Sequence, residues 1–305
     1  MQVLLYLVMM NMNKINIHFA SKAEAQELIP GNTQYYNRLK QMDIDWRARK
    51  ENATLDELIA FAQSQVQDFT PRNINILKDS IVRIKHLLDK RGCQLPIPEE
   101  IIFVKTDMMD EGGATGYTTR NQIFLNSYML DRPSRGLDIL IAHELFHCIT
   151  RHSPEFRKKM YALIGFTVMD HDIEFPEGIG YRIMANPDVD HIDSYAEFDI
   201  DGKKRKCALV PFYRMSWDEA CDEDGEEASF FNHIAEVLIP IDDFSEFFDI
   251  SYASDFWDKM GGNTDYVNSP EECLAVNFSY AIIFGLDGGY YTPQLIKSML
   301  DALKG

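Results

Sequence analysis

Neither a disulfide framework nor a cysteine-type metal site is written into this chain. Its five cysteines, at 93, 148, 207, 221 and 273, are odd in number, widely spaced and never form a CxxC pair. Reduced thiols in an intracellular protein are the plain expectation. Glycine (17) and proline (12) are too few among 305 residues for a collagenous or low-complexity chain, and no repeat or Gly/Ser-rich linker divides it. Positive charge is also short: 30 Lys+Arg face 48 Asp+Glu, a formal net charge of -18. A surface that acidic repels phosphate backbones, so no nucleic-acid partner is expected. Long apolar runs are missing as well. The stretch from Met1 to Met10 falls far short of the ~20 residues a membrane span needs. It lacks a basic segment before it and a small-residue cleavage site after it. It reads as a mis-assigned start, with Met9, Met10 or Met12 as the true one, or as a first β-strand, ahead of a weak export signal. No membrane span and a cytoplasmic location are expected, with export the alternative if those ten residues act as a signal.

What remains is the profile of a globular protein, 46% hydrophobic and 26% charged with a mean hydropathy of -0.25. Its length suits one large domain or two intimate ones. Residues 21–91 read as helical. Thr54-Leu-Asp-Glu57 is a capping-box pattern opening an amphipathic run to about Phe69. Thr70-Pro71 starts a second helix, with Ile74, Leu77, Ile81, Ile84, Leu87 and Leu88 at helical spacing and Gly92 as its stop. The period then changes. Residues 100–105 read as a strand, and residues 113–119 and 122–126 as strands about a bend at Arg120-Asn121. Helical spacing returns in Leu137, Leu140, Ile141, Leu145 and Ile149, and Ser153-Pro154 caps a further helix. Residues 170–250 are dense in Gly, Pro and Asp and read as a β-rich insertion, with a hairpin turning at Asp201-Gly202. Helices follow near 252–260, near 270–284 and from Pro293.

The chemistry is concentrated in His143-Glu144-Leu-Phe-His147, a His-Glu-x-x-His pattern inside a helical segment. Positions i and i+4 lie one above the other on a helix face, about 6 Å apart along the axis. Two imidazoles so placed can converge on one tetrahedral zinc, with Glu144 beside it to deprotonate a water. Apolar Ile139, Leu140, Ile141, Ala142, Leu145 and Phe146 surround them, so the helix should be buried. Buried polar groups without partners cost several kcal/mol (roughly 2–7), and a metal would supply partners. The pattern HExxHxxGxxH is excluded, because Thr150 and Ser153 stand where it needs glycine and histidine.

A third ligand must come from elsewhere. Ser269-Pro270-Glu271-Glu272 opens a second apolar helix with Leu274, Ala275, Phe278 and Ile282. On residue types alone, Glu272 is either a metal-binding carboxylate or the back-bonding member of a capping box with Ser269.

HELFH followed by a later Pro-Glu-Glu-x-x-Ala-x-Asn-Phe helix resembles the gluzincin zinc metallopeptidases, whose third ligand is a glutamate on a second helix. The Glu-x-x-Ala spacing of Glu272 and Ala275 is similar to that of the lethal-factor-like bacterial peptidases. The resemblance covers residues 100–153 and 264–284. It implies an α+β, zincin-like metallopeptidase fold for a catalytic domain at 99–305; the mostly helical N-terminal region at 1–98 and the β-rich insertion at about 170–250, read from the residues themselves, lie outside the resemblance. It also implies a Zn2+ cofactor held by His143, His147 and Glu272, with Glu271 the alternative to Glu272. Glu144 would be the general base. Tyr266, or less favourably His171 or His152, would stabilise the oxyanion. A peptide or protein is then the substrate, lying along an edge strand formed by residues 116–125. The rival expectation is a zincin-fold protein with structural zinc or a non-catalytic partner-binding cleft.

Overall fold

The computed structural model describes residues 15–225 and 228–304. The expected strand or signal at residues 1–10 lies outside them. Among the described residues the fold is mixed α+β, built on two five-stranded sheets. In the first, β1 (Asn16–Phe19), β3 (Glu100–Thr106) and β5 (Gln122–Asn126) run parallel. β4 (Gly116–Thr119) pairs antiparallel with β5 and forms the sheet's edge. The bend between them is the expected one, with Arg120 at φ 55.

Short β2 (Val66–Gln67) adds antiparallel to β3. This corrects the helical reading of 21–91. The helix Leu55–Gln65 ends before Phe69, because Val66 and Gln67 find ladder partners in Thr106 and Lys105 that a further turn of helix would forgo. Its capping box, from Thr54 and Glu57, forms as expected. So does the long helix Pro71–Arg91, closed by left-handed Gly92 at φ 69.

The second sheet is antiparallel and fills most of the insertion. It has the order β10 (Phe248–Asp249), β9 (Ile234–Pro240), β8 (Lys203–Tyr213), β7 (Ser194–Ile200), β6 (Thr167–Val168). Asp201 and Gly202, both at positive φ, make the two-residue turn between β7 and β8. Phe198, Ile200, Leu209 and Leu238 of this sheet join the same apolar cluster as the helices 71–91, 135–152 and 270–283. The insertion is therefore packed onto the main core.

Two buried helices dominate that core. The motif helix, Arg135–His152, starts at Ser134, whose hydroxyl accepts from Leu137 N–H. It buries side chains all round, from Leu137 to Thr150. The carboxylate helix, Pro270–Ile283, lies against it, with Phe146 and Phe278 ring centroids 5.3 Å apart. The N-terminal region holds the loop that precedes β4. Buried Arg47 reaches Glu111, Asp43 and the hydroxyls of Tyr35 and Tyr213, tying one of the N-terminal helices (Gln41–Ala48) to residues 108–113 and to β8. All five cysteines are free, and burial pushes the Cys148 thiol up to about 12. No described helix is long and apolar enough to cross a membrane.

Candidate metal centre

One helical turn sets His143 above His147, and their rings meet edge to face with centroids 4.8 Å apart. The carboxylate helix brings Glu272 to both. Its Oε2 lies 3.0 Å from His143 Nε2 and 3.6 Å from His147 Nε2. Ligand atoms on a tetrahedral zinc lie about 3.3 Å apart, given bonds near 2.0–2.1 Å. The three donor atoms fall within 4.8 Å of one another and form one of two candidate metal-binding clusters among the described residues.

Ser269 caps the carboxylate helix by accepting from Glu272 N–H, but the reciprocal bond of a capping box is absent. The Glu272 carboxylate points inward instead, where it also accepts from Asn186 Nδ2 at 2.6 Å. The neighbouring Glu271 takes a different place. It accepts from the hydroxyls of Thr150 and Tyr161 and faces His147 Nδ1 at 3.0 Å. That contact turns Nε2 of His147 toward Glu272. It is the carboxylate–histidine pairing that fixes a metal ligand's ring and tautomer.

Glu144 leaves the axis between the two histidines and is buried. Its Oε2 accepts from Thr118 Oγ1 at 2.7 Å, and its Oε1 lies against Gly116 of β4. Burial raises its pKa above the usual carboxylate range, against the pull of His143, His147 and Thr118. Glu272 goes the other way: burial opposes its charge, but the bond with His143 and the nearby imidazole of His147 hold it well below that range. His147 is raised well above its ordinary value. Burial works against its charge, and Asp188, Glu271 and Glu272 outweigh that.

Two polar residues that the sequence reading missed come from the irregular segment between β6 and β7. Besides Asn186 there is Asp188, whose Oδ1 accepts from Thr118 N–H at 2.6 Å and stands 4.0 Å from His147 Nε2. With Glu144 and His147 it makes the second candidate cluster. Only the density of Gly, Pro and Asp across 170–250 marked the stretch that contains it. No periodicity points to it.

This set fits a divalent cation on its own chemistry. His147 Nε2 is buried with no hydrogen-bond partner among the described residues, a cost of about 1–3 kcal/mol if left unmet. Glu144, Asp188, Glu271 and Glu272 bring four buried carboxylates together. The nearby guanidinium of Arg151 is already paired with Asp190. A dication would offset that surplus.

The centre opens into a cleft of about 470 Å³ lined by His143, Glu144, Asp188 and Glu272 on its polar side. Ala114, Met129, Ile139, Leu140 and Phe231 line the rest of it with apolar surface. Tyr266 stands at its rim. Although 39% of the residue is exposed, its phenol pKa is raised well above the ordinary value, by burial and then by Glu272 and Asp188. The other two oxyanion candidates lie elsewhere: His152 is exposed at the end of the motif helix, and His171 lines a separate cavity of about 540 Å³. That larger cavity is walled by charged groups, and several are already matched, Arg157 with Asp193 and Arg151 with Asp190. Comparison with protein-family models, with curated proteins and with solved structures finds no match.

Proposed function

We propose that the protein is a zinc-dependent metallopeptidase of gluzincin type, with His143, His147 and Glu272 as metal ligands and Glu144 as general base. The observation that carries this reading is the convergence of two imidazoles and a carboxylate from separate buried helices, with a second carboxylate beside them at the mouth of an open cleft. A purely structural centre gains nothing from Glu144 facing that cleft.

Zinc bound at the triad would lower the pKa of a water toward ~7 and polarise a carbonyl. The protein's own groups then divide the work. Glu144 takes a proton from water at its carboxylate and passes it to the leaving amine, and its raised pKa suits both halves of that transfer. Thr118 donates to Glu144 Oε2 and so fixes the carboxylate, whose other oxygen lies beside Gly116. The Tyr266 phenol, kept protonated by its surroundings, donates to the oxyanion of the tetrahedral intermediate. β4, at the edge of its sheet, offers backbone groups to an extended peptide, beside apolar lining for a side chain.

The test is Glu144→Gln with a protein or peptide substrate. The variant keeps its metal and loses turnover by about 10²–10⁴-fold, the usual contribution of a general base. Undiminished hydrolysis by Glu144→Gln would remove the reading.

A further inference from the structure

Glu272 turns its two oxygens to different partners. Oε2 faces both histidines, and Oε1 accepts from Asn186 Nδ2 at 2.6 Å. The Asn186 amide has one sensible orientation, because its oxygen accepts from Asp188 N–H at 2.8 Å. Which oxygen of Glu272 is left for the histidine pair therefore depends on where Asn186 stands.

Local structure does not place it. Residues 184–186 belong to no helix or strand, and Pro187 disfavours helical backbone at Asn186. Ala185 and Asn186 are both buried, so their backbone groups need partners. Those partners come from the N-terminal region. Asp43 Oδ1 accepts from Ala185 N–H at 3.0 Å, and Arg47 Nη2 donates to the Ala185 carbonyl. Arg38 donates to the carbonyls of Asn186 and Val189. One helix, Gln41–Ala48, thus holds Ala185 by both of its backbone groups.

Neutral partners would satisfy Ala185 as well. Asp43 and Arg47 are instead a fully buried ion pair, 3.3 Å apart, whose desolvation an apolar replacement would avoid. The Tyr213 hydroxyl joins them, accepting from Arg47 Nη1 and donating to Asp43 Oδ1 at 3.0 Å each. Charged partners make shorter and stronger bonds than neutral ones, and a buried network with its members satisfied rigidifies what it holds. Here it holds the residue next to the one that orients Glu272.

We propose that Arg38, Asp43 and Arg47 are positioning residues of the metal centre. Acting through Ala185 and Asn186, they occupy Glu272 Oε1 and leave Oε2 to the metal. The N-terminal region is then a working part of the site. This rests on the metal-site part of the function proposed above and not on the reaction assigned to it.

The test measures zinc affinity by competition with a chromophoric chelator in wild type, Asn186→Ala, Arg38→Met and Asp43→Ala, and in the last two combined with Asn186→Ala. Urea unfolding of the metal-free proteins is followed alongside. Arg38 is only partly buried, so Arg38→Met covers the case in which Asp43→Ala fails to fold. Asn186→Ala is expected to weaken zinc binding by about 10–100-fold. Arg38→Met and Asp43→Ala should each weaken it by about fivefold or more alone, and by nothing further once Asn186 is alanine. A merely structural role would lower stability and leave zinc affinity unmoved, or lower affinity equally in both backgrounds. Wild-type affinity in Asn186→Ala or in Arg38→Met, or equal losses with and without Asn186, overturns the positioning role and leaves the triad standing. Wild type that takes up no zinc overturns the metal centre and this proposal with it.

Discussion

A methyl group on Gly116 would sit 2.8 Å from Glu144 Oε1, 3.1 Å from Leu140 Cδ1 and 3.2 Å from the Phe124 carbonyl. The softest of these neighbours is the end of the glutamate side chain. Gly116→Ala is therefore expected to push the Glu144 carboxylate out of place without touching the triad. Turnover should fall by about 10²-fold, since about 1 Å of misplacement costs that much, with metal content unchanged. Kinetics beside metal analysis of the same preparation checks it, and wild-type turnover would show that Glu144 needs no such seat. Glu271 invites a second test. It orients His147 without facing the cleft, so Glu271→Gln should weaken zinc binding by about 10–100-fold, measured by chelator competition. Unchanged affinity would make Glu271 a structural partner of Tyr161 and Thr150 only. At this scale the sequence disclosed His143, Glu144 and His147 through their spacing, and it ranked Glu272 above Glu271 by resemblance. It was silent on Asn186, Asp188 and Thr118, because each meets the site as a single residue through long-range packing.

The motif and carboxylate helices were legible because their caps and apolar spacing are local signals, and each buries most of its side chains. The bend at 120–121 and the Asp201-Gly202 turn were legible for a similar reason, since positive φ restricts which residues serve. β1 and β2 were missed. Two to four residues carry no measurable period, and both exist through pairing with β3. The 3-10 turn Met109–Glu111, beneath the cleft-lining loop, carries a prediction of its own. Burial raises Asp110 to about 7, with Glu111 adding to it, while a backbone bond and Arg47 oppose. Its folded pKa lies above the unfolded one, so its contribution to stability is full below about pH 4 and is lost as pH rises through about 7. Asp110→Asn removes that loss. The variant should gain about 2 kcal/mol over wild type at pH 8 relative to pH 5, read by urea denaturation at both pH values. An equal difference at both would show that Asp110 titrates normally.

For the molecule as a whole, the two sheets and the buried helices share one apolar cluster, so metal binding and folding should be linked. Zinc at 1,000 times its dissociation constant should stabilise the native state by about 4 kcal/mol, and a chelator should lower the melting temperature accordingly. A melting temperature indifferent to chelator would place any metal outside the folded core. The cleft, Glu144 and the Asp188 segment all take their meaning from the triad, so the most direct measurement is the metal content of protein purified without a metal-affinity tag, beside Glu272→Ala. The account predicts about one zinc per chain in wild type and little or none in the variant. No zinc in wild type after add-back, or a full complement in Glu272→Ala, would contradict it.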